Sequence, residues 1–73
     1  MYKTHDLNKA AYLLAKNNSF THEKDGTKLT FCFSNDAKLT DDISEFLTNG
    51  NVQVHDFVNA LKRLKSLIYD ERG

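Results

Sequence analysis

The stretch Phe20-Thr21-His22-Glu23-Lys24-Asp25-Gly26-Thr27-Lys28-Leu29-Thr30-Phe31-Cys32-Phe33 decides the fold. Asp25-Gly26 is the preferred pair for a two-residue type I′ hairpin, because both turn positions need positive φ. With Lys24 and Thr27 as the flanking pair, Phe20 falls opposite Phe31 and His22 opposite Leu29. Strand alternation then gathers Phe20, His22, Leu29, Phe31 and Phe33 on one face and Thr21, Thr30 and Cys32 on the other. The first face is aromatic and needs a cover. The second is small and partly polar.

Helical patterns on both sides supply that cover. Upstream, Thr4 or Asp6 can cap a helix whose Leu7, Ala10, Ala11 and Leu14 recur at helical spacing. Asn17-Asn18 ends it, since Asn tolerates the left-handed conformation that closes many helices. Downstream, Ser34 or Asn35 can cap a second helix with Leu39, Ile43, Phe46 and Leu47 as its apolar stripe, stopped by Asn49-Gly50. Val52 and Val54 flank Gln53 in a short alternating run, a candidate third strand. The last helix opens near His55 or Asp56, and Phe57, Leu61, Leu64 and Ile68 follow at steps of four, three and four. The expectation is an α+β domain over residues 1–73, ordered helix, hairpin, helix, short strand, helix, with Leu61 and Leu64 fully buried. The first and last helices should cover the aromatic face.

A chain of 73 residues makes one domain and buries only about 60% of its unfolded surface. It therefore needs well-packed helices or a partner that completes its core. Hydrophobic residues at 40% and charged residues at 27% are globular values and argue against disorder. Ten Lys and Arg balance ten Asp and Glu, which weighs against a dedicated nucleic-acid binder but leaves room for a local basic patch. Cys32, the only cysteine, has no internal disulfide partner. No signal peptide is recognisable, and the apolar runs fall well short of the roughly 20 residues of a membrane span. A reducing cytoplasm fits best.

Signals for chemistry are weak. His5, His22, Cys32 and His55 fall on separate elements without a short ligand pair, so capping or surface roles account for them better than a metal does. Ser19, Ser34, Ser44 and Ser66 lack the signature of an activated nucleophile, and Gly26 and Gly50 are isolated turn residues rather than a phosphate loop. Asp41, Asp42 and Glu45 cluster on the second helix. A solvated face near the helix start, where the dipole favours anions, explains them better than acid–base chemistry or a divalent ion. Neither an enzymatic activity nor a cofactor is expected.

Charge is segregated within the neutral chain. Residues 34–56 carry Asp36, Asp41, Asp42, Glu45 and Asp56 against Lys38, five anions to one cation, or −4. Residues 57–69 carry Lys62, Arg63 and Lys65 with no anion, or +3. Lys62, Lys65 and Tyr69 share a helical face away from the apolar stripe. Such a face can contact phosphates, although cations also gather toward helix C-termini, where the dipole favours them. Tyr2, Tyr12 and Tyr69 lie off the main stripes, and tyrosines are frequent at interfaces.

The opening Tyr2-Lys3-Thr4-His5-Asp6-Leu7, leading into Ala10-Ala11-Tyr12-Leu13-Leu14-Ala15-Lys16, carries a resemblance. It continues through Leu29-Thr30-Phe31-Cys32-Phe33, Asn49-Gly50, and Phe57-Val58-Asn59-Ala60-Leu61-Lys62 with Leu64-Lys65-Ser66-Leu67-Ile68-Tyr69. On these residues the chain resembles a small family of uncharacterised proteins encoded by bacteriophages, prophages and Firmicutes. A glycine usually ends the first helix in that family, where Asn17-Asn18 stands here. The resemblance implies a genomic context and no activity. The expected function is a phage-type protein-binding module, an inhibitor of a host defence or host-takeover target acting in the host cytoplasm. Its candidate partner-binding residues are Lys62, Arg63, Lys65, Tyr69, Asp41, Asp42 and Glu45. The alternative is a nucleic-acid-binding accessory protein using the basic closing helix; a homodimer is a third, minor possibility.

Overall fold

Gly26 has a φ of +64°, and the hairpin turns at this residue. The pairing lies two residues away from the expected register. Asp25 belongs to the strand and pairs with Lys28, so Phe20 stands opposite Phe33 and His22 opposite Phe31. A slip of two leaves every side chain on its expected face, because strand alternation has a period of two. It lengthens the ladder and sets the Phe20 ring 6.1 Å from both Phe31 and Phe33. The computed structural model describes every residue except Thr27 and Gly73, and every described side chain except those of Asp25, Glu71 and Arg72. The expected Lys24–Thr27 flanking pair thus falls partly outside the described residues, and Lys24 pairs with Leu29 instead.

The elements run β1 (Tyr2–Thr4), α1 (Leu7–Ala15), β2 (Phe20–Asp25), β3 (Lys28–Phe33), α2 (Ala37–Leu47) and α3 (Val54–Arg72). The antiparallel sheet has the order β1-β3-β2. Its third strand is therefore β1, and the Val52–Val54 run is no strand: Val54 opens α3. Lone strands of three residues have little local signal; β1 exists because β3 offers it a free edge, with Tyr2 opposite Phe33 and Thr4 opposite Phe31. Thr4 also supports the following cap, its Oγ1 accepting from the Asp6 amide at 3.0 Å. Asp6 is the cap itself, and its Oδ1 accepts from the Asn8 and Lys9 amides at 3.0 and 3.1 Å.

With neighbours on both sides, β3 is the buried strand, and Thr30, Phe31, Cys32 and Phe33 are all covered. The face carrying Cys32 and Thr30 is closed by an ion pair that reaches across β3, from Lys3 on β1 to Glu23 on β2 at 3.2 Å. The aromatic face meets the helices. Helix α1 sits at the centre: Ala10, Ala11, Tyr12 and Leu13 are consecutive and all buried. A helix buried on nearly every side exceeds the single stripe expected from Leu7, Ala10, Ala11 and Leu14, of which the two leucines are only half-buried. Tyr12, which lies off that stripe, is nonetheless buried and packs on Phe46 at 5.3 Å between ring centroids.

Asp36 caps α2 in place of Ser34 or Asn35, its Oδ1 accepting from the Leu39 amide at 2.8 Å. Leu39 is fully buried, Ile43 and Phe46 half-buried, and Leu47 points outward at 69% exposure. The Asn17-Asn18 ending of α1 is a Schellman motif: Asn17 has a φ of +69°, its amide donates to Leu14 O, and the Asn18 amide donates to Leu13 O. In α3 Leu64 is fully buried, as expected, whereas Leu61 is only half-buried.

The turn supplies a direct test. Among the described residues beyond its chain neighbours, a Cβ at Gly26 would meet nothing within 4 Å, so the cost is backbone strain rather than collision. Gly26→Val should destabilise by about 1–2 kcal/mol and Gly26→Asn by less, because Asn tolerates positive φ. Equal melting temperatures for the two variants would refute a left-handed residue at this position.

Candidate binding surface on the closing helix

Helix α3 has 19 residues, and only one side of it enters the core. Ala60 and Leu64 are buried, with Phe57, Leu61, Leu67 and Ile68 packed partly against the same cluster. That leaves two flanks. At 3.6 residues per turn, Val54, Val58, Lys62, Lys65 and Tyr69 follow one another at steps of four, four, three and four along one of them. All five are exposed, Val54 at 76% and Tyr69 at 73%.

Asp56, Asn59 and Arg63 occupy the opposite flank and border an open cleft of about 650 Å³ between α3 and the end of α1. Phe20 forms part of that wall, and the Arg63 guanidinium lies over its ring at 5.5 Å from the centroid. The three cations of residues 57–69 therefore do not form one surface. Lys62 and Lys65 face outward beside apolar side chains, while Arg63 turns to the cleft with Asp56.

The acidic candidates separate as well. Asp42 is 8% exposed and lies in a hydrogen-bond network rather than on a solvated face. Asn18 Nδ2 donates to Asp42 Oδ2 and to the Leu13 carbonyl, both at 2.9 Å. Lys38 Nζ donates to Asp42 Oδ2 at 2.8 Å and to the Lys16 carbonyl at 2.6 Å. The network thus satisfies a carbonyl at the end of α1 and ties that helix to α2. Glu45 is exposed and pairs with Lys16 at 3.2 Å, which pushes the lysine pKa up. Asp41 is exposed. The i,i+4 spacing of Lys38 and Asp42 was legible in the sequence; the contribution of Asn18, 24 residues away, was not.

Burial pushes the Asp42 pKa up, but the Lys38 and Asn18 hydrogen bonds outweigh it and hold the carboxyl below its ordinary value. A depressed folded-state pKa contributes stability above the unfolded pKa of about 3.9 and loses it as pH falls through the lower folded value. Asp42→Asn should therefore melt lower than wild type at pH 7, with the gap narrowing below about pH 4. A constant gap across an acid titration followed by circular dichroism would contradict this role.

Among the described residues no three His, Cys, Asp or Glu side chains come together as metal ligands, and no described helix is long and apolar enough to cross a membrane. His5 instead sits 3.3 Å from both the Leu29 carbonyl and Thr30 Oγ1, beside β3. Val54 and Val58 were missed as surface candidates. Their signal was present as the run Val54, Val58, Leu61, Lys65, Ile68 at steps of four and three, overlapping the more obvious stripe through Phe57.

Residues 1–70 match the family model described as Domain of unknown function (DUF5659), and the chain belongs to that family. No curated protein and no solved structure matches it.

Proposed function

We propose that this member of a family of unknown function is a non-enzymatic protein-binding module that engages its partner through the outer flank of α3. The observation that carries the reading is the combination on that flank of exposed Val54, Val58 and Tyr69 with Lys62 and Lys65. Exposed apolar groups joined to an aromatic and rimmed by one sign of charge suit a specific protein contact, with charge steering the encounter. The resemblance to phage and prophage proteins supports a host defence or host-takeover target as the partner, met in the host cytoplasm.

Nucleic-acid binding is the second reading, favoured by the pairing of Lys62 and Lys65 with Tyr69. The placement of Arg63 on the other flank beside Asp56 weakens it, as does the net charge of zero. Titration of single- and double-stranded oligonucleotides at low and moderate salt should show no binding. Micromolar, salt-sensitive binding lost on charge reversal of Lys62 and Lys65 would replace the protein-binding reading. In parallel, the tagged chain should retain a stoichiometric host protein that Val58→Glu releases.

A further inference from the structure

We infer that the outer flank of α3 docks an acidic amphipathic helix of the partner protein, an inference that rests on the protein-binding reading above. Val54, Val58, Leu61, Lys65 and Ile68 recur at steps of four, three, four and three, the spacing that lets one helix seat its side chains between those of another. Leu61 and Ile68 belong both to this seam and to the core stripe, and each is only half-buried by the fold. They join the core to the exposed Val54 and Val58, so a second helix laid here would extend the apolar cluster. At 19 residues, α3 offers about 28 Å of rigid surface. Helix-in-groove recognition uses anchors at this spacing.

Charge selects the occupant. Lys62 and Lys65 flank and interrupt the seam, and residues 57–69 contain no anion. A partner helix with Glu or Asp beside its apolar stripe complements them. A second copy of this chain does not. Burying the whole seam against itself requires α3 to meet its copy in parallel register or antiparallel about Leu61. The parallel register sets Lys65, itself a seam position, against its own counterpart, and the antiparallel one brings the two Lys62 side chains together beside the seam; like charges there oppose association.

The test uses the full chain and a synthetic peptide of about 20 residues, matched to the length of α3, with leucines at seam spacing and glutamates beside them. One control peptide scrambles that composition and another replaces glutamate by lysine. Backbone amide shifts should move at Val54, Val58, Lys62, Lys65 and Tyr69 on adding the acidic helix. The double variant K62E/K65E should keep the wild-type melting curve, lose at least about tenfold in affinity, and prefer the lysine peptide. Shifts confined to the Arg63 cleft or the sheet, equal binding of the scrambled peptide, or indifference to the charge reversal would each overturn the inference. Failure of the peptide with a dimer seen by sedimentation would overturn it in favour of a second copy. Failure with oligonucleotide binding would remove the protein-binding reading too. Failure with neither would leave that reading to another surface.

Discussion

Replacing Leu64 by alanine should leave the protein largely unfolded at room temperature. Leu64 is fully buried where α3 meets the central helix and the sheet, in one cluster with Ala10, Ala11, Leu13, Phe31 and Phe33. Removing its outer carbons forfeits their transfer free energy and leaves a cavity, together costing about 2–5 kcal/mol. A single core in a chain this short rarely supplies more than about 3–5 kcal/mol in total. Leu61→Ala should cost clearly less, because half-buried Leu61 has part of its surface in water already. Urea melts of the two variants check this ordering. Equal midpoints would show that α3 is rotated about its axis relative to the arrangement described here.

Gly50→Ala is expected to have the second-largest effect, for a reason unrelated to backbone freedom. Positive φ at the end of α2 belongs to Asn49, at +67°, and not to the glycine. Gly50 is needed for space. Its amide donates to the Glu45 carbonyl, and a Cβ would fall 2.6 Å from that oxygen and against the Tyr12 hydroxyl as well. The backbone on one side and a buried tyrosine on the other leave little room to yield, so the cost should be about 1–3 kcal/mol, the range for overpacking. For a domain of this size, each 1 kcal/mol lowers the melting temperature by roughly 4–8 °C. Tyr12→Phe should recover part of the loss in the Gly50→Ala background, since it removes one of the two obstacles. Strict additivity of the two substitutions would show that the hydroxyl is not in the way.

These two positions also show how far the residue pattern could be read. Leu64 was identified as core from periodicity alone, because a leucine at the centre of a regular stripe has no other way to hide from water. Leu61 sits on the same stripe but at its margin, and only the position of α1 decides how much of it is covered. The pair Asn49-Gly50 was read correctly as the stop of α2, without a choice between its two residues. Either Asn49 or Gly50 can take the left-handed conformation; Asn49 takes it, and Gly50 sits where the Tyr12 hydroxyl and the Glu45 carbonyl leave no room for a Cβ. Tyr12 lies off the main stripe and is buried all the same, because a helix buried on several sides shows no simple stripe.

The candidate surface divides the same way. Lys62, Lys65 and Tyr69 were legible as one face, since a helix alone sets their relation. Arg63 was grouped with them by proximity in the chain, and Asp42 with Asp41 and Glu45. Both leave those groups in the folded protein, Arg63 for the Phe20 ring and Asp42 for Asn18 and Lys38.

Local chemistry, then, was sufficient for whatever depends on neighbours in the chain: three helices, the left-handed Asn17 ending, the glycine turn at Gly26, and the sorting of aromatic from polar residues on the hairpin. A periodic pattern encodes these directly. Tertiary structure alone decided the strand Tyr2–Thr4, the two-residue register of the hairpin, the burial of Tyr12 and Asp42, and the two flanks of α3. Each of these is settled by a partner distant in sequence. The β1 strand forms only because β3 has a free edge, and register can slip by two without exposing a single aromatic. A carboxylate goes inside only where hydrogen-bond donors such as Lys38 and Asn18 already wait for it.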